Sequence, residues 1–128
     1  MLRAGLATIM VGLDVTRRMT LAAREVDRLA ASTDPLTAWL GDALRFYVEF
    51  HRGRERLDGC VVNDVLTIGE LLSPGLLTLA DLPIAVELDE GEHRGHTRER
   101  EGGVMTSVAT RVDVVTMRAL LKRVFREL

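Results

Sequence analysis

The sequence predicts an α/β fold, and three observations carry that prediction. An apolar run with β-branched residues, Ala7–Val11, suits a strand buried on both faces of a parallel sheet. Segments with helical spacing follow it, and a shorter strand-like section comes after them. The chain closes on a helix that places Met117, Leu120, Leu121, Val124, Phe125 and Leu128 on one face. Strand, helices, small β section and closing helix, in that order, favour α/β over an all-helical fold.

Composition agrees with a globular domain. The chain has 128 residues, 47% hydrophobic and 28% charged, a size and balance expected of a single folded unit and not of a disordered segment. Lys and Arg number 17 against 19 Asp and Glu, a formal charge of −2. That balance offers no electrostatic footprint for nucleic acid or for an anionic membrane. The single cysteine, Cys60, excludes an internal disulfide framework. The opening apolar stretch is shorter than the roughly 18 residues a spanning helix needs. It has no small-residue cleavage site, so a cytoplasmic location is expected.

Residues Leu2–Leu6 read as a helix end closed at Gly5. Thr20 is placed to cap a helix over about Leu21–Ala31, with Leu21, Val26, Leu29 and Ala30 on one stripe. Ser32-Thr33-Asp34-Pro35 stops that helix and starts another, Pro35 suiting a first turn. The second helix runs to about Gly53, with Leu36, Trp39, Leu40, Ala43, Leu44, Tyr47 and Val48 at 3-4 spacing and Trp39 expected in the core. Val65–Leu72 is apolar nearly all round and reads as a buried helix beginning at Asn63 or Asp64 and ended by Ser73-Pro74-Gly75. Ile84–Leu88 reads as a strand and Asp89–Glu92 as a turn. Arg94–Glu101 is a charged strand or hairpin arm, and Gly102-Gly103 separates it from Val104–Val112. Asp113 is placed to cap the last helix.

Few residues suggest chemistry. Asn63-Asp64 precedes the apolar helix and carries two readings. Asn and Asp are preferred N-caps, which is the expected role. An aspartate there also stays ionised near a positive dipole end and suits a hard cation. Tyr47 and His51, four residues apart, project from one helix face. Such a pair can stack on a ring and offer a proton; the expected alternative is a helix end with one buried aromatic and an exposed histidine. His93 and His96 fall in the charged segment Glu87–Glu101, where a solvated hairpin is expected over a metal pair. Cys60, beside Val61 and Val62 with no nearby base, reads as a buried inert thiol.

Several stretches together resemble one family. MVGLDVT at 10–16, ALRFYVEFHR at 43–52 and above all LDGCVVND at 57–64, with its sequel VLTIGELLSPGLL, are similar to the inosine-uridine-preferring nucleoside hydrolases. PIAVELDEGEHRGHT at 83–97 and RVDV at 111–114 match that family's C-terminal pattern. The resemblance spans nearly the whole chain and lies in the order and spacing of the motifs. It implies the C-terminal part of an open, mostly parallel α/β sheet with flanking helices, a small β section and a C-terminal helix, residues 1–128 forming one unit.

The resemblance also implies hydrolysis of the N-glycosidic bond of ribonucleosides to base plus ribose. In the family a Ca2+ ion, held by an N-terminal aspartate cluster, carries the attacking water and the ribose hydroxyls. A C-terminal aspartate adds one ligand, and that position is Asp64. The histidine that protonates the departing base in many members falls on Asn63, and the aromatic positions near the base fall on Tyr47 and His51. Asn63 has no titratable proton near neutrality, so it cannot be an acid, a role that contributes about 10²–10⁴-fold. The N-terminal aspartates, the water-activating base and most ribose ligands have no counterpart in these residues. The expectation is therefore a truncated hydrolase, inactive alone, that binds no Ca2+ by itself and forms a homo-oligomer or joins a missing half. The competing class is a non-enzymatic, self-associating interaction module.

Overall fold

The computed structural model describes residues 2–128. After a single 3-10 turn at Leu2–Ala4, Gly5 turns the chain with φ +70° and leads to strand β1, Ile9–Met10. Helix α1 (Leu13–Thr16), strand β2 (Thr20–Ala22) and helices α2 (Ala23–Ala30) and α3 (Pro35–Glu55) follow. Strand β3 (Gly59–Val61) and helix α4 (Val65–Leu72) lead to β4 (Leu77–Val86), β5 (Thr97–Glu99) and β6 (Val104–Val112). Helix α5 (Val114–Val124) closes the fold.

The α/β class holds, with strand directions that differ from a mostly parallel sheet. One sheet has the order β1-β6-β4-β5, and only the β1–β6 pair is parallel. A separate antiparallel pair joins β2 to β3. Ala7–Val11 is accordingly not a strand buried on both faces. Only Ile9–Met10 pairs, Ile9 opposite Ser107, and Ile9 is half exposed at the sheet edge. A strand with one neighbour covers one edge of its backbone and leaves the other to solvent.

Two elements begin elsewhere than expected. Thr20 does not cap a helix, because Thr20–Ala22 pairs antiparallel with Gly59–Val61 and buries Leu21 opposite Cys60. Helix α2 starts at Ala23, with the Ala22 backbone N–H donating to Glu25 Oε2 at 2.8 Å. Strand β4 begins at Leu77, well before Ile84, and pairs with β6 from Leu77 to Ile84. Both shifts come from partners distant in sequence, which local propensity does not register.

Helices α3 and α5 start where the sequence placed their caps, each capped by an aspartate, but α5 ends at an exposed Val124, so Phe125 and Leu128 lie beyond it and not on its face. Asp34 Oδ2 accepts from Thr37 N at 2.8 Å, and Asp113 Oδ1 accepts from Thr116 N at 3.1 Å. The buried face of α3 nevertheless differs from the aromatic stripe. Thr37, Gly41, Val48 and His51 point inward, whereas Leu36, Trp39, Phe46 and Tyr47 face out. Gly41 sets this rotation: a Cβ there would stand 2.6 Å from Ala30 Cα, so α2 can cross α3 this closely only over a glycine. Helix α4 also leaves Ile68, Leu71 and Leu72 exposed, turning only Leu66 and Gly69 inward.

One core joins these layers. Val15, Met19, Leu21, Val26, Leu29, Val48, Cys60, Leu66, Leu77, Ala109 and Met117 pack together, with Leu120, Leu121 and Phe125 of the last helix and its C-terminal tail against them. The tail is tied back to α2, where Arg28 Nε donates to the Glu127 carbonyl at 2.7 Å and the Ser32 hydroxyl donates to the Glu127 carboxylate.

Candidate functional site

The Asn63-Asp64 pair lies where β3 runs out. Val62 N donates to the Met19 carbonyl at 3.1 Å, extending the β2–β3 pairing by one residue, and the chain then turns into α4. Thr16, buried on α1, donates its hydroxyl to Asn63 Oδ1 at 2.7 Å. With that oxygen engaged, the Asn63 amide has its two N–H donors left for a further partner. Thr16 was not singled out by the sequence, although it ends the MVGLDVT stretch.

Asp64 is exposed and does not act as a side-chain cap. Its backbone is already helical, at φ −74° and ψ −19°, and its carboxylate accepts no N–H from the first turn of α4. The turn is closed instead through the Asp64 carbonyl, which accepts from Thr67 N at 3.1 Å and Thr67 Oγ1 at 2.7 Å. The carboxylate therefore has no duty in capping its own helix.

Tyr47 and His51 exchange the roles given to them in the helix-end reading. His51 is buried and Tyr47 is half exposed. His51 Nδ1 lies 2.8 Å from the Tyr47 carbonyl. A carbonyl only accepts, so Nδ1 holds a proton, and in the neutral ring Nε2 is the acceptor. The Tyr47 and His51 rings lie near parallel, 26° apart, with centroids at 6.3 Å, and Phe50 meets His51 edge-on at 5.4 Å. Tyr47 and Phe46 stand edge to face at 6.2 Å, and both are exposed, as are Trp39 and Phe50 on the same helix. Helix α3 packs on β3, the strand that leads into Asn63-Asp64.

Other candidates resolve simply. Cys60 is fully buried, and burial pushes its thiol pKa up, which makes it a poor nucleophile. His93 and His96 stand together on the exposed loop between β4 and β5. A groove of about 830 Å³ runs between Arg3, the end of β4 and the β5–β6 turn, and takes in none of Tyr47, His51, Asn63 and Asp64. Among the described residues no group of three or more His, Cys, Asp or Glu is gathered to hold a metal ion. Calcium takes about six to eight oxygens, so Asp64 alone does not make a calcium site, and the residues present do not fit the ion by themselves.

The family model of inosine-uridine preferring nucleoside hydrolases matches residues 1–119. The chain belongs to this family. A pyrimidine-specific ribonucleoside hydrolase RihA from Enterobacter sp. (strain 638) is 32% identical over 96 residues, covering 74% of this chain and 31% of the relative. A purine-preferring ribonucleoside hydrolase from Gardnerella vaginalis superposes on 92% of this chain and 39% of its own, with a TM-score of 0.78 and 27% identity. A plant nucleoside hydrolase, PpNRh1, superposes with a TM-score of 0.85 at 24% identity, over 95% of this chain and 42% of its own. The nucleoside hydrolase fold is thus present over nearly the whole chain, while the chain spans about a third of the length of the curated relatives it matches. No helix among the described residues is long and apolar enough to cross a membrane.

Proposed function

We propose that residues 1–128 form one unit supplying the base-side part of a nucleoside N-glycosidase in the cytoplasm. On this reading, hydrolysis requires a complementary part that carries the calcium-binding aspartates and the water-activating base. The observation that supports it most is the Asn63-Asp64 arrangement in a chain of this family. Thr16 occupies the Asn63 oxygen, and the Asp64 carboxylate is not used to cap its helix.

Breaking the bond between ribose and base leaves negative charge on the base, and a donor near that charge stabilises it. Asn63 donates through its amide N–H groups without transferring a proton. Tyr47 presents a half-exposed ring on which a base can stack. Asp64 would be one ligand to Ca2+, and the complementary part would have to supply the others. Alone, the 128-residue chain does not hydrolyse nucleosides.

The test is complementation. The purified chain is assayed with inosine, uridine and cytidine in the presence of calcium, alone and after co-expression with the N-terminal part of the Enterobacter relative. Hydrolysis is expected only in the co-expressed complex, and Asp64→Ala is expected to abolish it. Turnover by the chain alone would overturn the requirement for a second part.

A second reading, a non-enzymatic self-associating module, draws support from the exposed Leu36, Trp39 and Phe46 of α3 and from half-exposed Ile9 in the edge strand β1. Exposed apolar rows and open strand edges favour association. A stable homo-oligomer in light scattering, together with inactivity in the co-expressed complex, would favour that reading.

A further inference from the structure

The hairpin between β4 and β5 takes no part in the glycosidase reading, yet two of the three histidines of the chain meet at its tip. We propose that His93 and His96 form a two-imidazole chelate for a borderline divalent transition ion, of the class of Ni2+, Zn2+ and Cu2+. Their ring centroids are 5.1 Å apart and the ring planes are tilted by 48°. A metal-bound imidazole nitrogen lies about 2.0–2.1 Å from the ion, which puts the ring centre about 3.2 Å away. Two such rings on one ion stand about 5.2 Å apart at a tetrahedral angle and about 4.5 Å apart at a right angle. The observed separation falls in that range.

The backbone that carries the two rings is held by its own hydrogen bonds. His96 N donates to the His93 carbonyl at 3.0 Å and Arg94 N to the Gly91 carbonyl at 3.2 Å. Glu87 N donates to the His96 carbonyl and Gly95 N to the Glu87 carbonyl, each at 2.8 Å. Gly91 and Gly95 take φ +140° and +89°, a region costly for other residues, so this turn is built on them. A tip tied at four points has little freedom to lose when the second imidazole binds.

Charge and ligand type set the class of ion. Glu87, Asp89, Glu90 and Glu92 precede the pair in sequence, with Arg94 the cation between the histidines and Arg98 held by Glu87 at 3.1 Å. Imidazole suits Zn2+, Ni2+ and Cu2+, whereas Ca2+ and Mg2+ take oxygen ligands. Both rings are exposed, so water completes the coordination, and the chelate needs no third protein ligand. The site does not depend on the glycosidase reading, since it lies on a different part of the fold.

The experiment is calorimetric titration of the untagged chain with Ni2+ in a non-coordinating buffer, with circular dichroism to establish that each variant is folded. One ion per chain is expected. His93→Ala and His96→Ala should each weaken binding by about tenfold or more, because each turns an intramolecular second contact into none. The double variant should lose the binding, and Mg2+ should not compete. Wild-type binding less than about tenfold tighter than either single variant would show independent histidines and overturn the chelate, as would Ni2+ binding retained in the double variant.

Discussion

Replacing Arg118 by Met probes the contact that ties the last helix to the first half of the chain. Arg118 Nη1 donates to Glu25 Oε1 at 2.8 Å, and its Nη2 donates to Glu25 Oε2 at 3.3 Å and to the Thr20 carbonyl at 2.8 Å. The Glu25 side chain is 11% exposed and that of Arg118 35%. Hydrogen bonds involving a charged group contribute about 1.5–3 kcal/mol each. Water reaches the guanidinium and screens it, and Glu25 keeps its bond from Ala22 N, so we expect a loss of about 2 kcal/mol in total. Met preserves the packing of the Arg stem, which isolates the charge. For a chain of this length that loss lowers Tm by about 6–10 °C.

The same substitution has a pH signature. Burial opposes the charge on Glu25, but the Arg118 hydrogen bond, the Ala22 N–H and the charges of Arg118 and Arg28 outweigh it, and its pKa lies below the ordinary 4.5. A carboxylate with a lowered folded pKa contributes stability that is complete above its unfolded pKa and is lost as pH falls through the folded one. Urea denaturation of wild type and Arg118→Met should therefore show the full gap near neutrality and a shrinking gap below 4.5. A gap that stays constant through the acid range would refute the electrostatic account and leave packing as the role of Arg118.

Gly41→Ala should destabilise the chain by about 1–3 kcal/mol, because the new methyl overlaps Ala30 Cα and overpacking outweighs the roughly 1 kcal/mol gained in helix propensity; an unchanged urea midpoint would count against the close crossing. Cys60 should resist an aromatic disulfide reagent in the native protein and react fully in denaturant, since its thiol is buried and its pKa raised. Native-state labelling at the rate of a free thiol would contradict that burial.

The parts of the fold that the sequence announces are those held by neighbours along the chain. Asp34 and Asp113 stand three residues before the N–H groups they cap, so the starts of α3 and α5 are local facts. The parallel β1–β6 pair and the β2–β3 pair join residues far apart, and Thr20–Ala22 reads as a helix start until Cys60 is seen opposite Leu21. The candidate site divides in the same way. Asn63-Asp64 is marked by residue type and by motif, but the Thr16 contact comes from a residue forty-seven positions away.

What this sequence determined by itself is the α/β class, its family, the two capped helices and the residues of interest at positions 47, 51, 63 and 64. Tertiary structure alone decided which way those residues face. It turned His51 inward and left Trp39 and Tyr47 outside, and it excused Asp64 from capping. The physical reason lies at Gly41: helix periodicity establishes which side chains share a stripe, but the close approach of α2 over a residue without a Cβ selects the stripe that is buried.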